Sequence, residues 1–366
     1  MPEATQGVDP KAKVFADLYP VLYAAETPIS GAYVTTSWMS ATIADVLSGG
    51  LAGKDVLDVG CGYGTTSAII ANFKPKRIMA VDNSEAMIEL YRNVMLSDLA
   101  LHNWLIEKNA RPVLQDLYYP TLYHLLARRA QFQNGAFYKN GGKAEALCCS
   151  SLSLSRDSVG TFDVVIGNNF LHWPVNQRLA ELRKDNASSN RSEEQMLSRA
   201  VNDALLPIAD VLRDGGVAVM MEPKDFMTDD LYPDHEAALE AGSMTAHPLF
   251  KKFHETFNRL LKEGYGIDRK VPTNTGLFKN SKLQGYAEVA GLKLERLVHA
   301  ENSFTCDPVK AFYVRLPMVL GGLNIPFDDK LKLGQQTMIE FDKLVTAEDK
   351  ELPLQTQYFY ICLRRA

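Results

Sequence analysis

Three glycines at alternate positions, directly after a short apolar run, constrain this chain more than any other feature. The run VLDV at 56–59 leads into Gly60, Gly62 and Gly64, and a helical pattern follows over 67–72. Glycine has no Cβ, so the backbone of such a turn can approach a ligand closely. In open α/β sheets, ligands bind at the carboxyl ends of the strands. The run therefore predicts a ligand pocket at the edge of a parallel sheet.

A second apolar run, IMAV at 78–81, ends on Asp82. An acidic side chain at this position can accept hydrogen bonds from both hydroxyls of a ribose. The dinucleotide fingerprint needs G-x-G-x-x-G, but Thr65 stands where its third glycine would be. Another acid, Asp58, precedes the first glycine by two residues. The pattern favours a nucleoside ligand without a pyrophosphate, and the alternative is a glycine turn in some other α/β protein.

The run D-V-G-C-G-Y-G followed by A-V-D resembles the first two motifs of class I S-adenosylmethionine (SAM)-dependent methyltransferases. Asp163 at the start of a predicted strand, and L-H-W at 171–173, resemble the type 11 members of that family. The resemblance implies a Rossmann-like α/β fold with a seven-stranded, mostly parallel sheet and an antiparallel last strand. It covers residues 50–100, 130–225 and 281–300, and 355–364 by position.

The resemblance also implies that SAM is the cofactor. Asp58 would hold its ammonium group through a water or a backbone amide, and Asp82 would bind the ribose unless it is only a helix N-cap. The cofactor contacts would come from Asp58, Gly60, Cys61, Gly62, Gly64, Asp82, Asn83, Met87, Glu145, Asn168 and Asn169. Among these, Asn168 and Asn169 would lie where the transferable methyl group points.

The adenine contact departs from the family pattern. Methyltransferases commonly show G-D-A-E-x-L after the third strand, which we predict over 135–139, and its acid reaches the adenine. In this chain Lys143 replaces that acid. The adenine role would then pass to Glu145 or to backbone groups.

Two residues are candidates for catalysis. His172, just past the fourth predicted strand, could act as a general base for an oxygen or nitrogen acceptor. The alternative is a hydrogen-bonded histidine that caps the loop beside Trp173. Glu222, at the end of the fifth predicted strand, could bind substrate or cap a turn.

The remaining candidates are polar aromatic residues that could line an acceptor pocket, although each could equally be a surface or packing residue. They are Tyr19, Tyr23, Trp173, Tyr232, His235, His247 and Tyr313. We predict a helical lid, or a simple packing helix, over 1–50 and the methyltransferase domain over 51–366. Helical inserts are expected at about 95–130, 224–282 and 305–351, where they could cover the pocket or form a homodimer interface.

Composition limits the partners. A net charge of −5 lacks the basic surface expected of a nucleic-acid-binding protein. The five cysteines include no C-x-x-C pair, and no His or Cys spacing suggests a metal site. No apolar run approaches the roughly 18 residues of a membrane span. These observations predict a cytoplasmic protein without membrane, metal or nucleic-acid partners.

The predicted function is methyl transfer from SAM to a small molecule, with an oxygen, nitrogen, sulfur or carbon acceptor left open. Large inserts between the fifth and last strands favour an enclosed pocket over an open macromolecular surface. Two alternatives differ in chemistry. The fold could cyclise SAM and release methylthioadenosine, or the chain could bind SAM without catalysis.

Overall fold

The computed structural model describes most of the chain in separate ranges. These are residues 50–96, 141–185, 191–223, 246–269, 280–299, 304–306, 309, 312, 316, 319–320, 323–352, 354–356 and 358–366. The predicted lid at 1–50 and most of the insert at 95–130 lie outside them. The division into lid, domain and inserts therefore stays a prediction.

A seven-stranded sheet forms the centre of the described chain. The strands are β1 (Asp55–Val59), β2 (Arg77–Asp82), β3 (Lys143–Cys148), β4 (Phe162–Asn168), β5 (Leu212–Pro223), β6 (Leu292–His299), β7 (Phe304–Cys306), β8 (Leu354–Thr356) and β9 (Tyr358–Arg365). The sheet has the order β3-β2-β1-β4-β5-β9-β6, and β7 pairs with β8 apart from it. Strands β1 to β5 pair in parallel, while β9 lies antiparallel to both β5 and β6. The predicted sheet with its antiparallel last strand is confirmed.

Helices cover both faces of this sheet. The described α-helices are α1 (Thr65–Asn72), α2 (Glu85–Tyr91), α3 (Arg156–Val159), α4 (His172–Asp185), α5 (Glu193–Val211), α6 (Pro248–Tyr265), α7 (Asn280–Val289), α8 (Phe327–Leu344) and α9 (Ala347–Glu351). Alternate residues of β1 point to opposite faces, as strand geometry requires. Val56 packs in one apolar cluster with Ile70 of α1, and Leu57 packs in the other with Ile208 of α5.

The third strand is not where the sequence predicted it. The sheet uses Lys143–Cys148 as β3, whereas the predicted strand at 135–139 lies outside the described residues. Ala144 and Ala146 alternate along β3 and pack against the core cluster, so the segment has the period-two pattern of an edge strand. The register pairs Lys143 with Arg77 and Cys148 with Asp82. The motif that was predicted to follow the third strand thus lies in the strand itself.

Helices α6 and α8 pack against each other around a separate apolar core. Phe253, Phe312 and Phe341 meet there, with the rings of Phe253 and Phe341 perpendicular and 5.6 Å apart between centroids. These two helices lie within the ranges 224–282 and 305–351, where helical inserts are predicted. Within the described residues, no helix is long and apolar enough to cross a membrane.

Candidate cofactor and acceptor site

A cavity of about 470 Å³ opens at the carboxyl ends of β1, β2 and β4. The described residues that line it are Gly60, Gly62, Val81, Asp82, Asn83, Ser84, Met87, Cys149, Ser151, Asn168, Asn169, Phe170, Trp173, Pro174, Asn176 and Gln177. Its volume lies within the range of small-molecule pockets, roughly 300–1,000 Å³. Seven of the residues predicted to bind the cofactor line this cavity, namely Gly60, Gly62, Asp82, Asn83, Met87, Asn168 and Asn169.

The glycine turn forms one wall, and its glycines serve different purposes. Gly62 has a φ of 52°, and a Cβ added there would have no protein atom within 4 Å. A side chain at this position would extend into the cavity instead. A Cβ at Gly60 would lie 2.4 Å from Cδ2 of Phe170, and one at Gly64 would lie 2.7 Å from Cε of Met95. Gly62 therefore keeps the ligand space open, while the other two glycines permit close packing behind it.

Asp82 lies on the same wall and is held by two backbone donors. Its Oδ2 accepts a hydrogen bond from the Gly62 N–H at 3.0 Å, and its Oδ1 accepts one from the Ser84 N–H at 2.9 Å. Burial raises the pKa of Asp82 above its ordinary value, and these backbone donors oppose the rise. The N-cap of α2 is Ser84, whose hydroxyl accepts from the Met87 N–H. Each Asp82 oxygen can still accept a further hydrogen bond from a ligand hydroxyl.

Asp58 lies behind this wall and is fully buried. Its Oδ2 accepts a hydrogen bond from the Ser67 hydroxyl at 2.5 Å, while its Oδ1 has no partner in the described structure. Burial raises the pKa of Asp58 to about 7, the Ser67 hydroxyl opposes that rise, and the nearby Asp82 charge adds to it. A buried acceptor without a donor is costly. Asp58 does not line the cavity, so a ligand group would reach this oxygen through a water or a backbone amide.

The adenine end of the site differs from the prediction. Glu145 does not line the cavity; it lies at the start of β3 and forms an exposed ion pair with Arg77 at 3.1 Å. The residues that line the cavity after β3 are Cys149 and Ser151. Lys143 is the first residue of β3. The difference follows from the position of β3, since Glu145 pairs with Met79 inside the sheet, whereas Cys148 at the end of the strand pairs with Asp82.

The end of β4 forms the opposite wall. The Asn168 amide donates to the Thr66 hydroxyl at 3.2 Å, which ties β4 to α1. Asn169 adopts a left-handed φ of 55°, and its N–H donates to the Met221 carbonyl at 2.8 Å. Its side-chain oxygen is buried without a partner in the described structure. Both carboxamides line the cavity, so they can contact a ligand there.

His172 and Glu222, the candidates for catalysis, are buried and do not line the cavity. Glu222 is 0% exposed, and its Oε2 lies 2.7 Å from His172 Nδ1. Its Oε1 accepts from the backbone N–H groups of Phe170 and Leu171, at 3.1 and 2.5 Å. The geometry therefore favours the alternative interpretation, a hydrogen-bonded histidine at the start of α4, over a base that reaches a substrate.

The other predicted residues fall into three groups. Trp173 lines the cavity and is half exposed. His247 is buried away from it, where Nδ1 accepts from the Leu249 N–H at 3.2 Å and caps α6. Cys61 is buried beside the glycine turn and does not line the cavity either. Tyr19, Tyr23, Tyr232, His235 and Tyr313 lie outside the described residues.

Several lining residues were not predicted. They are Val81, Ser84, Cys149, Ser151, Phe170, Pro174, Asn176 and Gln177. Asn176 and Gln177 follow Trp173 on α4, a helix that the sequence analysis treated as a loop after β4. A proline at 174 in the first helical turn is a helix-start signal that could have located them.

The residues present fit SAM. The glycine wall leaves the ligand space free of side chains. Asp82 offers acceptors for ribose hydroxyls, and the unpartnered oxygen of Asp58 suits a nearby cation. The carboxyl end of this sheet is also the ligand-binding edge of open α/β folds.

One comparison with known proteins, a family model, agrees with this fit. Residues 56–112 match the family model described as a methyltransferase domain. A search of curated proteins found no match to the sequence.

Solved structures with a similar fold include three from different organisms. One is a proposed methyltransferase from Bacillus halodurans C-125, at 14% identity and a TM-score of 0.41, covering 89% of this chain and 98% of that one. Another is a proposed sarcosine dimethylglycine methyltransferase from Galdieria sulphuraria, at 12% identity and a TM-score of 0.39, covering 91% and 86%. A third is magnesium protoporphyrin IX methyltransferase from Synechocystis PCC 6803 with bound SAH, at 12% identity and a TM-score of 0.39, covering 92% and 84%.

Proposed function

We propose that this chain, whose residues 56–112 match a methyltransferase domain model, transfers the methyl group of SAM to a small molecule. One observation supports the small acceptor: a single continuous cavity includes both the glycine wall and a second wall built by β4 and α4. That second wall presents Asn168, Asn169, Trp173, Asn176 and Gln177. Carboxamides and an indole beside the cofactor position can orient a small polar acceptor.

When bound, SAM supplies an electrophilic methyl group on a sulfonium, and transfer is an in-line displacement. The protein contributes mainly by holding donor and acceptor close and aligned. Gly62 and Asp82 would hold the cofactor, while the wall from Asn168 to Gln177 would hold the acceptor. The orientation of this wall relative to the glycine turn then decides whether the acceptor atom faces the methyl group.

Proton removal from the acceptor is a separate requirement. Among the described lining residues, Asp82 and Cys149 are the ionisable side chains, and both lie on the cofactor side. Burial raises the pKa of the Cys149 thiol, which makes it a poor base at neutral pH. A sulfur acceptor would need no base. Tyr232, His235 and Tyr313 stay predictions as residues of the acceptor pocket, not as bases.

Transfer of label from methyl-labelled SAM into a fractionated cell extract tests the proposal. The label should enter a small metabolite, and mass spectrometry of that fraction identifies the product. Asp82→Ala should abolish the signal, because it removes the ribose acceptor. Lys74→Gly, beyond the C-terminal end of α1 and outside the cavity lining, is the control and should transfer label as the wild type does.

Other outcomes would contradict the proposal. Label in protein or nucleic acid would exclude a small acceptor. Consumption of SAM with release of methylthioadenosine would support cyclisation instead. If the protein binds SAM but no fraction receives label, a non-catalytic role would be favoured.

A further inference from the structure

We propose that Glu222 and His172 form a buried positioning pair that sets the shape of the acceptor wall, which is the cavity wall from Asn168 to Gln177. This inference rests on the proposed function. The pair lies directly behind the turn from β4 to α4. Neither residue lines the cavity, so neither touches the reacting atoms. Their effect would pass through Phe170 and Trp173, which do line it.

Glu222 receives hydrogen bonds from three consecutive residues of the turn. Oε1 accepts from the N–H groups of Phe170 and Leu171, at 3.1 and 2.5 Å, and Oε2 lies 2.7 Å from His172 Nδ1. Because the carboxylate only accepts, the donor to Oε2 is the Nδ1–H of the ring. The neighbouring Asn169 N–H donates to the carbonyl of Met221, the residue before Glu222. The end of β5 thus holds four successive residues of the turn.

A carboxylate suits this position electrostatically. The turn leads into α4, which begins at His172 and runs for 14 residues. The backbone N–H groups at a helix start are without intrahelical partners, and the helix dipole favours negative charge there. Glu222 satisfies such donors from another strand. Removal of its carboxylate would take an acceptor away from two buried N–H groups and from the buried imidazole, which is costly.

The pair is linked to the cavity through two aromatic residues. Phe170 packs so closely on Gly60 that a Cβ there would lie 2.4 Å from its ring. The turn therefore also contacts the glycine wall. On the other side, the rings of His172 and Trp173 lie 5.2 Å apart between centroids. The orientation of His172 consequently determines the packing surface against which the half-exposed indole rests.

Two substitutions of His172 distinguish positioning from catalysis. In His172→Asn, the side-chain amide can place an N–H near the position of Nδ1, so the hydrogen bond to Glu222 can persist without an imidazole. In His172→Phe, an aromatic ring remains beside Trp173 but the hydrogen bond is lost. For a positioning pair, His172→Asn should keep label transfer within about fivefold of the wild type, whereas His172→Phe should lose more. A general base contributes about 10²- to 10⁴-fold, so both substitutions would then be equally damaging.

Two substitutions of Glu222 test the carboxylate. In Glu222→Gln, the amide oxygen can still accept from Phe170 and Leu171, and the amide N–H can donate to the other imidazole tautomer. We expect affinity for S-adenosylhomocysteine within about threefold of the wild type. Glu222→Leu should weaken that affinity at least tenfold and should increase acrylamide quenching of Trp173. Trp173→Phe assigns the quenching signal among the three tryptophans of the chain.

Binding of S-adenosylhomocysteine by calorimetry and quenching of Trp173 need no acceptor, so they test the pair even if methyl transfer fails. Circular dichroism identifies any variant that does not fold. If Glu222→Leu does not fold, Glu222→Gln and His172→Asn still test the inference. Two results would overturn the inference. One is a loss of transfer of 100-fold or more in His172→Asn with unchanged affinity and quenching. The other is a folded Glu222→Leu protein with wild-type affinity and quenching.

Discussion

Asp58 on β1 and Glu222 on β5 are both fully buried carboxyl groups, yet they have very different surroundings. Glu222 accepts hydrogen bonds from two backbone N–H groups and faces the His172 ring. Asp58 accepts from Ser67 alone, through its hydroxyl and its backbone N–H, and the Oδ1 atom of Asp58 has no partner in the described structure. Buried polar groups in native proteins are nearly always satisfied, so an unsatisfied one needs an explanation. Glu222 is satisfied by its own fold, whereas we propose that a ligand completes Asp58.

The comparison explains how the site divides its tasks. A satisfied carboxylate stabilises the turn that carries the acceptor wall. An unsatisfied one destabilises the protein without a ligand, and stability and function are often opposed at such positions. Substitution of Asp58 should therefore lower cofactor affinity while it raises stability. Substitution of Asp82, on the glycine wall, should lower cofactor affinity the most.

The largest effect on cofactor affinity should come from Asp82→Ala. Hydrogen bonds to a charged group contribute about 1.5–3 kcal/mol each, so loss of the ribose contacts should weaken SAM binding by at least about 100-fold. Calorimetric titration with S-adenosylhomocysteine measures this. The affinity of Asp82→Asn, which keeps an acceptor oxygen but no charge, should fall between those of the wild type and Asp82→Ala. Equal affinities for all three proteins would mean that Asp82 does not contact the ligand.

A smaller effect on affinity, with the opposite effect on stability, is expected for Asp58→Asn. The neutral amide cannot balance the SAM ammonium, so affinity should fall about tenfold, which corresponds to about 1.4 kcal/mol. The amide removes the cost of a buried charge, so the melting temperature at pH 8 should rise by several degrees. Thermal unfolding without ligand measures the rise. A lower melting temperature together with unchanged affinity would contradict the proposed role of Asp58.

The pH dependence of that stability difference has a defined sign. The folded pKa of Asp58, about 7, exceeds its ordinary value of 3.8, so the folded state binds this proton more tightly. Stability from this group is fully present below about pH 4 and is lost as the pH rises through 7. The melting-temperature advantage of Asp58→Asn should accordingly grow between pH 5 and pH 8. An advantage that is constant over this range would exclude titration of Asp58 as its cause.

The smallest effect is expected for Lys74→Gly. Lys74, after the end of α1, has a left-handed φ of 58° and is exposed. Glycine adopts this conformation without a Cβ clash, so stability should rise by about 0.5–1 kcal/mol. Affinity for S-adenosylhomocysteine should stay unchanged, because Lys74 does not line the cavity. A change in affinity would show that stabilisation alone alters binding, which would weaken the interpretation of Asp58→Asn.

The cofactor half of this site was predictable because its signal is local. The glycine turn lies between two apolar strands, and Asp82 ends the second one, so a short segment contains both the turn and the ribose acid. Position along the chain located Asn168 and Asn169 for the same reason, since β4 is an unbroken apolar run. The order of the sheet followed from the family resemblance that these segments carry.

The acceptor half was less predictable because it depends on contacts between distant residues. Glu222 reaches back about 50 positions to Phe170 and Leu171, and no sequence period records that pairing. In the cofactor half, Glu145 was misplaced because the third strand was predicted at 135–139, whereas the sheet uses Lys143–Cys148. His247 looked like a pocket residue, but it caps α6 through a backbone N–H that only the folded chain brings near.

The most direct test of the account is the affinity for S-adenosylhomocysteine between pH 5.5 and 7.5, measured by calorimetry for the wild type and for Asp58→Asn. Over this range the ligand's amino group stays mostly protonated, since such groups titrate near 7.7–8.0. If Asp58 holds the ammonium, wild-type affinity should fall about tenfold as the pH drops and the carboxylate takes up its proton. The affinity of Asp58→Asn should stay constant. Parallel profiles for the two proteins would contradict the claim that the cofactor completes this buried carboxylate.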